Sequence, residues 1–195
     1  MSASSILPPS LPPSPARRSV APPRAWTESY GVARHPVWLF GAGHVGRALV
    51  LALAPLPFAL TWCDSREGAF PAHIPANVTP LHHDAPDELV ARIPAGAFVL
   101  VMSHSHPIDL AVTAAALARD DLPFVGLIGS RTKRARFEKR YRELGIADAR
   151  IAQLSCPIGI AGITNKDPAI IAAATAAQLL ALRETLPHQE ITDHA

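Results

Sequence analysis

The sequence predicts an α/β fold: a doubly wound, Rossmann-like and mostly parallel sheet of about six strands, preceded by a disordered N-terminal tail. Three observations predict it. From Val37 onward, short β-rich apolar runs alternate with helical patterns, the signature of βαβ units covered on both faces. The first unit is joined by a glycine-rich turn, "LFGAGHVGRAL", Leu39 to Leu49. The composition, 49% hydrophobic and 17% charged, suits a domain dominated by buried sheet and helix faces.

Residues 1–36 differ in kind. "SLPPSPARRSVAPPRAW" is rich in Pro, Ser and Arg and has no periodicity, so it cannot bury enough apolar surface to offset its chain entropy and reads as a flexible tail. The pair Arg17-Arg18 lacks the apolar run an export signal needs. The folded domain is expected over residues 37–185, with a flexible C-terminus over 186–195. A net charge of +2 predicts neither a nucleic-acid nor a membrane partner. The stretch Val37 to Leu60 is interrupted by glycine, arginine and proline, against the roughly 20 mostly apolar residues of a membrane helix. With two cysteines, Cys63 and Cys156, and no CxxC pair, a disulfide framework is not expected and a reducing cytoplasm is the default location.

The elements follow in order. Strand 1 is expected at Val37 to Phe40 and its helix from His44 to Leu53, closed by Pro55. Strand 2, "FALTWC", ends at Asp64. A weaker third strand falls near Asn77 to Leu81, the fourth at Phe98 to Met102, the fifth at Phe124 to Gly129 and the sixth at Ala149 to Ser155. Helices are expected near Asp87 to Arg92, Ile108 to Arg119 and Thr132 to Leu144. A last helix begins at Pro168, with Asp167 as its cap and an Ala-rich run to Leu182. Six strands then favour the order 3-2-1-4-5-6.

In such a sheet ligands bind beyond the carboxyl ends of the strands. After strand 1, Gly41, Gly43 and Gly46 stand in dinucleotide-turn spacing around Ala42, His44 and Val45; glycine there permits a tight turn, close phosphate approach and helix–strand packing. Asp64 stands where an acid accepts hydrogen bonds from a ribose, while Arg66 is placed to meet a phosphate instead. After strand 4, Ser103, His104 and His106 offer hydrogen bonds to a polar ligand, and His106-Pro107 also suits a plain helix start. The two histidines lack a third ligand, so no metal site is expected. After strand 5, Gly129 and Ser130 end a strand, and Arg131, Lys133 and Arg134 crowd the first turn of a helix. Cations there oppose the helix dipole by about 0.3–1 kcal/mol each, which points to a compensating anion. Lys139, Arg140 and Arg142 read as a solvated face, with Phe137, Tyr141 and Leu144 as the buried stripe. Cys156 is either a thiol activated by those cations or a buried inert one. Cys63 reads as core, and His82, His83 and Asp84 as a loop after strand 3.

Together "FGAGHVGRAL", "VMSHSHPIDL", "VGLIGSRTKRARF" and "CPIGI" followed by "KDPAIIAAATAAQLL" closely resemble the C-terminal Rossmann-like domain of the XdhC/CoxI family of xanthine dehydrogenase accessory proteins, from about Pro36 to Leu182. The resemblance implies a chaperone or carrier before an enzyme, with no catalytic residue required. It would bind the molybdenum cofactor (molybdopterin), support its sulfuration with a cysteine desulfurase, and deliver it to the molybdenum-binding subunit of xanthine dehydrogenase or a related hydroxylase. Gly43, Val45, Gly46, Ser130 and the Arg131 to Arg134 group would contact phosphate, and Ser103, His104, His106 and Asp64 would supply polar contacts. Homodimer formation is left open.

The family carries a separate N-terminal domain where this chain has the Pro-rich segment. It commonly reads Gly-Lys-Glu-Pro in place of Asn165-Lys166-Asp167-Pro168, and has an aliphatic residue in place of Cys63. The alternatives are an NAD(P)-binding oxidoreductase, for which no hydride-transfer constellation stands out, and a nucleotide-sensing Rossmann module.

Overall fold

The computed structural model describes residues 34–186. Most of the expected tail and nearly all of the expected flexible C-terminus, residues 1–33 and 187–195, lie outside the described residues. Six strands, β1 (His35–Phe40), β2 (Phe58–Asp64), β3 (Val78–His82), β4 (Phe98–Val101), β5 (Phe124–Leu127) and β6 (Leu154–Ser155), form one sheet in the order β3-β2-β1-β4-β5-β6. Every adjacent pair is parallel. This is the expected topology. It begins earlier than expected, because His35 and Pro36 already pair with Phe58 and Ala59.

The helices are α1 (His44–Leu53), α2 (His106–Leu117), α3 (Arg131–Glu143), α4 (Asp148–Ala152) and α5 (Pro168–Thr185), with a 3-10 helix at Pro86–Arg92 between β3 and β4. Side chains alternate across a strand. On β1, Trp38 and Phe40 therefore pack on one face with Val112 and Leu117 of α2 and with Phe137 and Tyr141 of α3. Val37 and Leu39 pack on the other with Leu49 and Leu53 of α1 and Ala172 and Leu179 of α5. The central strands are buried on both sides, as a doubly wound sheet requires. Pro80 lies within β3, the edge strand, opposite Trp62.

Several boundaries need correction. The segment expected as strand 6 is mostly α4, followed by a strand of two residues. Ala149 and Ile151, two apart, read as strand, but Ile151 and Leu154, three apart and both buried, have helical spacing. Helix α2 starts at His106 because Pro107 fits the first turn. Leu144, expected in the buried stripe of α3, is 61% exposed: it lies just past the helix, ahead of Gly145 at φ +80. At α5 the expected cap is present, with Asp167 Oδ1 accepting from the Ala169 N–H at 2.8 Å. No helix among the described residues is long and apolar enough to cross a membrane.

Candidate functional site

The glycine turn is built by close approach. Gly41 has φ +122, and a Cβ there would lie 2.3 Å from the Met102 carbonyl oxygen at the end of β4. A Cβ on Gly46 would lie 2.0 Å from the Gly41 carbonyl oxygen, which also accepts a hydrogen bond from Trp62 Nε1 at 3.0 Å. These two glycines are therefore demanded by the protein's own packing. Gly43 is different. It is the N-cap of α1 at φ −77, offers no side-chain cap, and a Cβ there would meet nothing within 4 Å. The start of α1 thus has no side-chain cap and a first residue that contributes no bulk, and uncapped first-turn N–H groups suit an anion. Val45 is half-buried behind them, and His44 is exposed.

At the end of β2, Asp64 is 3% exposed and its carboxylate is engaged within the protein. Oδ2 accepts from the Ala42 N–H at 2.6 Å and from Arg66 Nη2 at 2.9 Å. Oδ1 accepts from the Arg66 backbone N–H at 2.9 Å and from Arg66 Nε at 3.0 Å. Burial opposes ionisation of Asp64, but the Arg66 side chain and the two backbone donors together outweigh it and hold the carboxyl below its usual range. The acid expected to accept a ribose instead anchors the glycine turn to β2. Arg47, which the sequence reading passed over, adds a second anchor: Nε donates to the Ala42 carbonyl at 3.2 Å and Nη2 to the Ala69 carbonyl at 2.7 Å.

The turn after β4 is fixed from below. Asp109, in the first turn of α2, is 1% exposed. Its Oδ1 accepts from the Ser103 N–H at 2.9 Å and its Oδ2 from Lys133 Nζ at 2.6 Å. Lys133 also donates to the Ile128 carbonyl at 3.0 Å. This corrects the reading of Lys133 as an anion contact: its ammonium is turned inward as a strut between the β4 and β5 turns. Asp109 was missed because the sequence shows only a helix-start acid, and its partner lies 24 residues away.

Arg134 pairs with Glu138 at 2.7 Å and reaches the Cys156 carbonyl at 3.4 Å. Arg131 is exposed and makes no ion pair among the described residues. Ser130 caps α3 by accepting from the Lys133 N–H at 3.2 Å. Gly129 packs against both Lys133 and Cys156, whose Sγ would be 3.1 Å from a Cβ on Gly129. Burial pushes the Cys156 thiol up, against the lowering effect of Lys133 and Arg134. The activated-thiol reading required the opposite. His104 and His106 are exposed at the rim, His106 edge-on to Phe137 at 6.4 Å. Among the described residues no group of three His, Cys, Asp or Glu side chains is placed to hold a metal ion.

Seven of the expected residues, linked through the unexpected Asp109, therefore form one chain of contacts: Arg66 to Asp64, Asp64 to the glycine turn, Gly41 to Ser103, Ser103 to Asp109, then Lys133, Gly129 and Cys156; His44, His104, His106 and Arg131 stand outside it. A shallow depression with room for about one water, some 10 Å³, lies between Gly41, Asp64, Ser65 and Ser103 and is walled by Phe40, Cys63, Pro86 and Ile108, where the strand order reverses direction.

Comparison with known proteins agrees with this architecture. YqeB of Escherichia coli is 31% identical over 152 residues, an alignment that takes in 76% of this chain and 27% of that protein. A structure described as a xanthine dehydrogenase from Bacillus halodurans matches with a TM-score of 0.67 at 23% identity, over 80% of this chain and 45% of the other. A Rossmann-fold NAD(P)-binding family protein from Shigella flexneri matches with a TM-score of 0.51 at 15% identity, over 78% of this chain and 89% of the other. These two structures share the fold. The chain spans about a quarter of the length of YqeB and less than half of the Bacillus protein. The profile of the XdhC Rossmann domain matches residues 37–179, and on that match the chain belongs to the XdhC Rossmann domain family.

Proposed function

We propose that this domain binds the molybdenum cofactor as cargo, holding the phosphate-bearing end of the pterin at the Gly43 turn and Arg131. On this reading it assists the cofactor's sulfuration with a cysteine desulfurase and its insertion into a molybdenum hydroxylase such as xanthine dehydrogenase. The observation that carries the reading is the uncapped start of α1, open above Gly43 and joined without a break to the turns after β4 and β5. A phosphorylated ligand needs N–H donors and a free cation, and the α1 first turn and Arg131 supply them. Holding and releasing cargo needs no nucleophile, which agrees with a protonated, buried Cys156. Family membership supports the cargo's identity.

The experiment is retention. The full chain, purified from cells that synthesise the cofactor, is expected to carry molybdenum and pterin and to slow oxidation of added cofactor. A preparation that carries neither and protects nothing overturns the proposal. Turnover of a carbonyl substrate with NADH or NADPH would favour the oxidoreductase reading instead.

A further inference from the structure

A helix at the surface of a doubly wound sheet ordinarily turns polar side chains to solvent. Helix α2 does not. Pro107, Ala111, Ala114 and Ala118 follow at spacings of four, three and four and so share one face, with Pro107 and Ala118 exposed and Ala111 and Ala114 half-buried. Ile108 and Leu110 border that face, partly buried, while the polar Asp109 and Thr113 are buried on the opposite side. The outer side of α2 is therefore apolar along its length, a pattern that belongs to a covered helix.

What stands beside it identifies the cover. The crossovers from β3 to β4, β4 to β5 and β5 to β6 lay the 3-10 helix, α2 and α3 side by side on one face of the sheet. On one flank Asp84, Asp87 and Glu88 are exposed at the start of the 3-10 helix, with Arg92 at its far end. Asp87 and Glu88 make no ion pair among the described residues. On the other flank α3 carries seven Lys or Arg against two Glu, and its Arg136 and Lys139 are exposed and unpaired among the described residues. An apolar centre between charged margins is the anatomy of a protein interface, and these margins have opposite signs.

A second copy turned about a twofold axis parallel to α2 brings α2 onto α2 and sets the acidic flank of each copy over the basic flank of the other. Each complementary set is then used twice. A twofold axis running across α2 would instead set like charge on like, which opposes association.

We propose that the outer face of α2 is a dimer interface for a second copy of this chain, with Asp87 and Glu88 of each copy facing Arg136 and Lys139 of the other. The inference goes beyond the proposed function and does not depend on it. It also sets the carboxyl ends of both sheets at the same end of the dimer.

The test is analytical ultracentrifugation of the full chain over a concentration series. A dimer is expected, and it should weaken as salt is raised, because its margins are charged. Ala114→Glu places a carboxylate at the apolar centre and should weaken the dimer by about hundredfold. Its melting curve, taken at a dilution where the parent is also monomeric, should not change, since glutamate is a good helix former. Asp87→Lys with Glu88→Lys should weaken the dimer about tenfold, and so should Arg136→Glu with Lys139→Glu. The first variant is basic on both flanks and the second acidic on both, so an equimolar mixture of the two should recover dimer. A parent chain that stays monomeric, a dimer indifferent to Ala114→Glu, or charge-swapped chains that do not pair with each other overturns the inference. Loss of the fold in both Ala111→Glu and Ala114→Glu overturns it as well, because the chain itself would then be covering the face.

Discussion

Lys133 Nζ lies 2.6 Å from Asp109 Oδ2, with 13% and 1% of the two side chains exposed. Removing one partner from a buried pair leaves an uncompensated charge and costs about 3–5 kcal/mol. Lys133→Ala is therefore expected to lower stability by at least the lower end of that range in urea unfolding. Lys133→Met with Asp109→Asn should recover a large part of the loss. If Lys133→Ala leaves the midpoint unchanged and lowers only ligand retention, the inward strut is wrong.

The glycines of the turn should separate by function. Gly46→Ala places a Cβ 2.0 Å from the Gly41 carbonyl oxygen and should unfold the domain or lower its melting temperature steeply. Gly43→Ala meets no protein atom within 4 Å and needs no unusual backbone, so its stability should stay within about 0.5 kcal/mol of the parent. Its pterin retention should nonetheless fall, since the methyl projects where the phosphate is placed. Melting curves together with molybdenum analysis of both variants read the difference.

Arg131 is the cation of the α3 first turn that carries the anion reading. Arg131→Ala is expected to weaken retention about tenfold, the loss of one hydrogen bond to a charged group, with the fold intact. Lys139→Ala, further along the same exposed helix, should have little effect. Equal losses in the two variants would mean diffuse charge and no first-turn site.

Burial pushes the Cys63 thiol up to about 12 from an ordinary 9.0, against a small lowering by Arg92. In the unfolded chain this thiol loses its proton first, so its contribution to stability is intact below about pH 9 and declines as pH rises through the interval to about 12. Cys63→Val should flatten the alkaline limb of a stability–pH curve. Asp64 acts at the other end: its lowered value keeps its contribution until pH falls below the ordinary 3.8. An alkaline limb that is the same with and without Cys63 would contradict the first assignment.

The fold was legible where local signals agreed. The bounds of α1 follow from a glycine turn, a helical apolar stripe and Pro55, and the start of α5 from Asp167 and Pro168, because caps and prolines act within a few residues. Strand order followed from counting βα units. The α4–β6 segment was not legible, since Ala149 and Ile151 carry a strand spacing and Ile151 and Leu154 a helical one, in a run too short to decide. The site was legible in its positions more than in its roles. Asp64, Arg66, Ser103, Lys133 and Cys156 all meet at the carboxyl rim, but their hydrogen-bond partners did not follow from the sequence. Asp64 looks open until Arg66 is seen folded back on it. Lys133 looks like a surface cation until Asp109 is seen beneath it. The Lys133–Asp109 pairing spans 24 residues, which no local pattern encodes; Asp64 and Arg66 are only two apart, and there it is the side-chain conformation that the sequence does not specify.

Pro80 has a consequence for how molecules of this protein meet. Lacking an N–H, it interrupts the row of donors along the outer margin of β3, and a strand from another molecule would find no unbroken partner there. Growth of the sheet by self-addition is blocked on that flank, so assembly through it would have to rely on side chains.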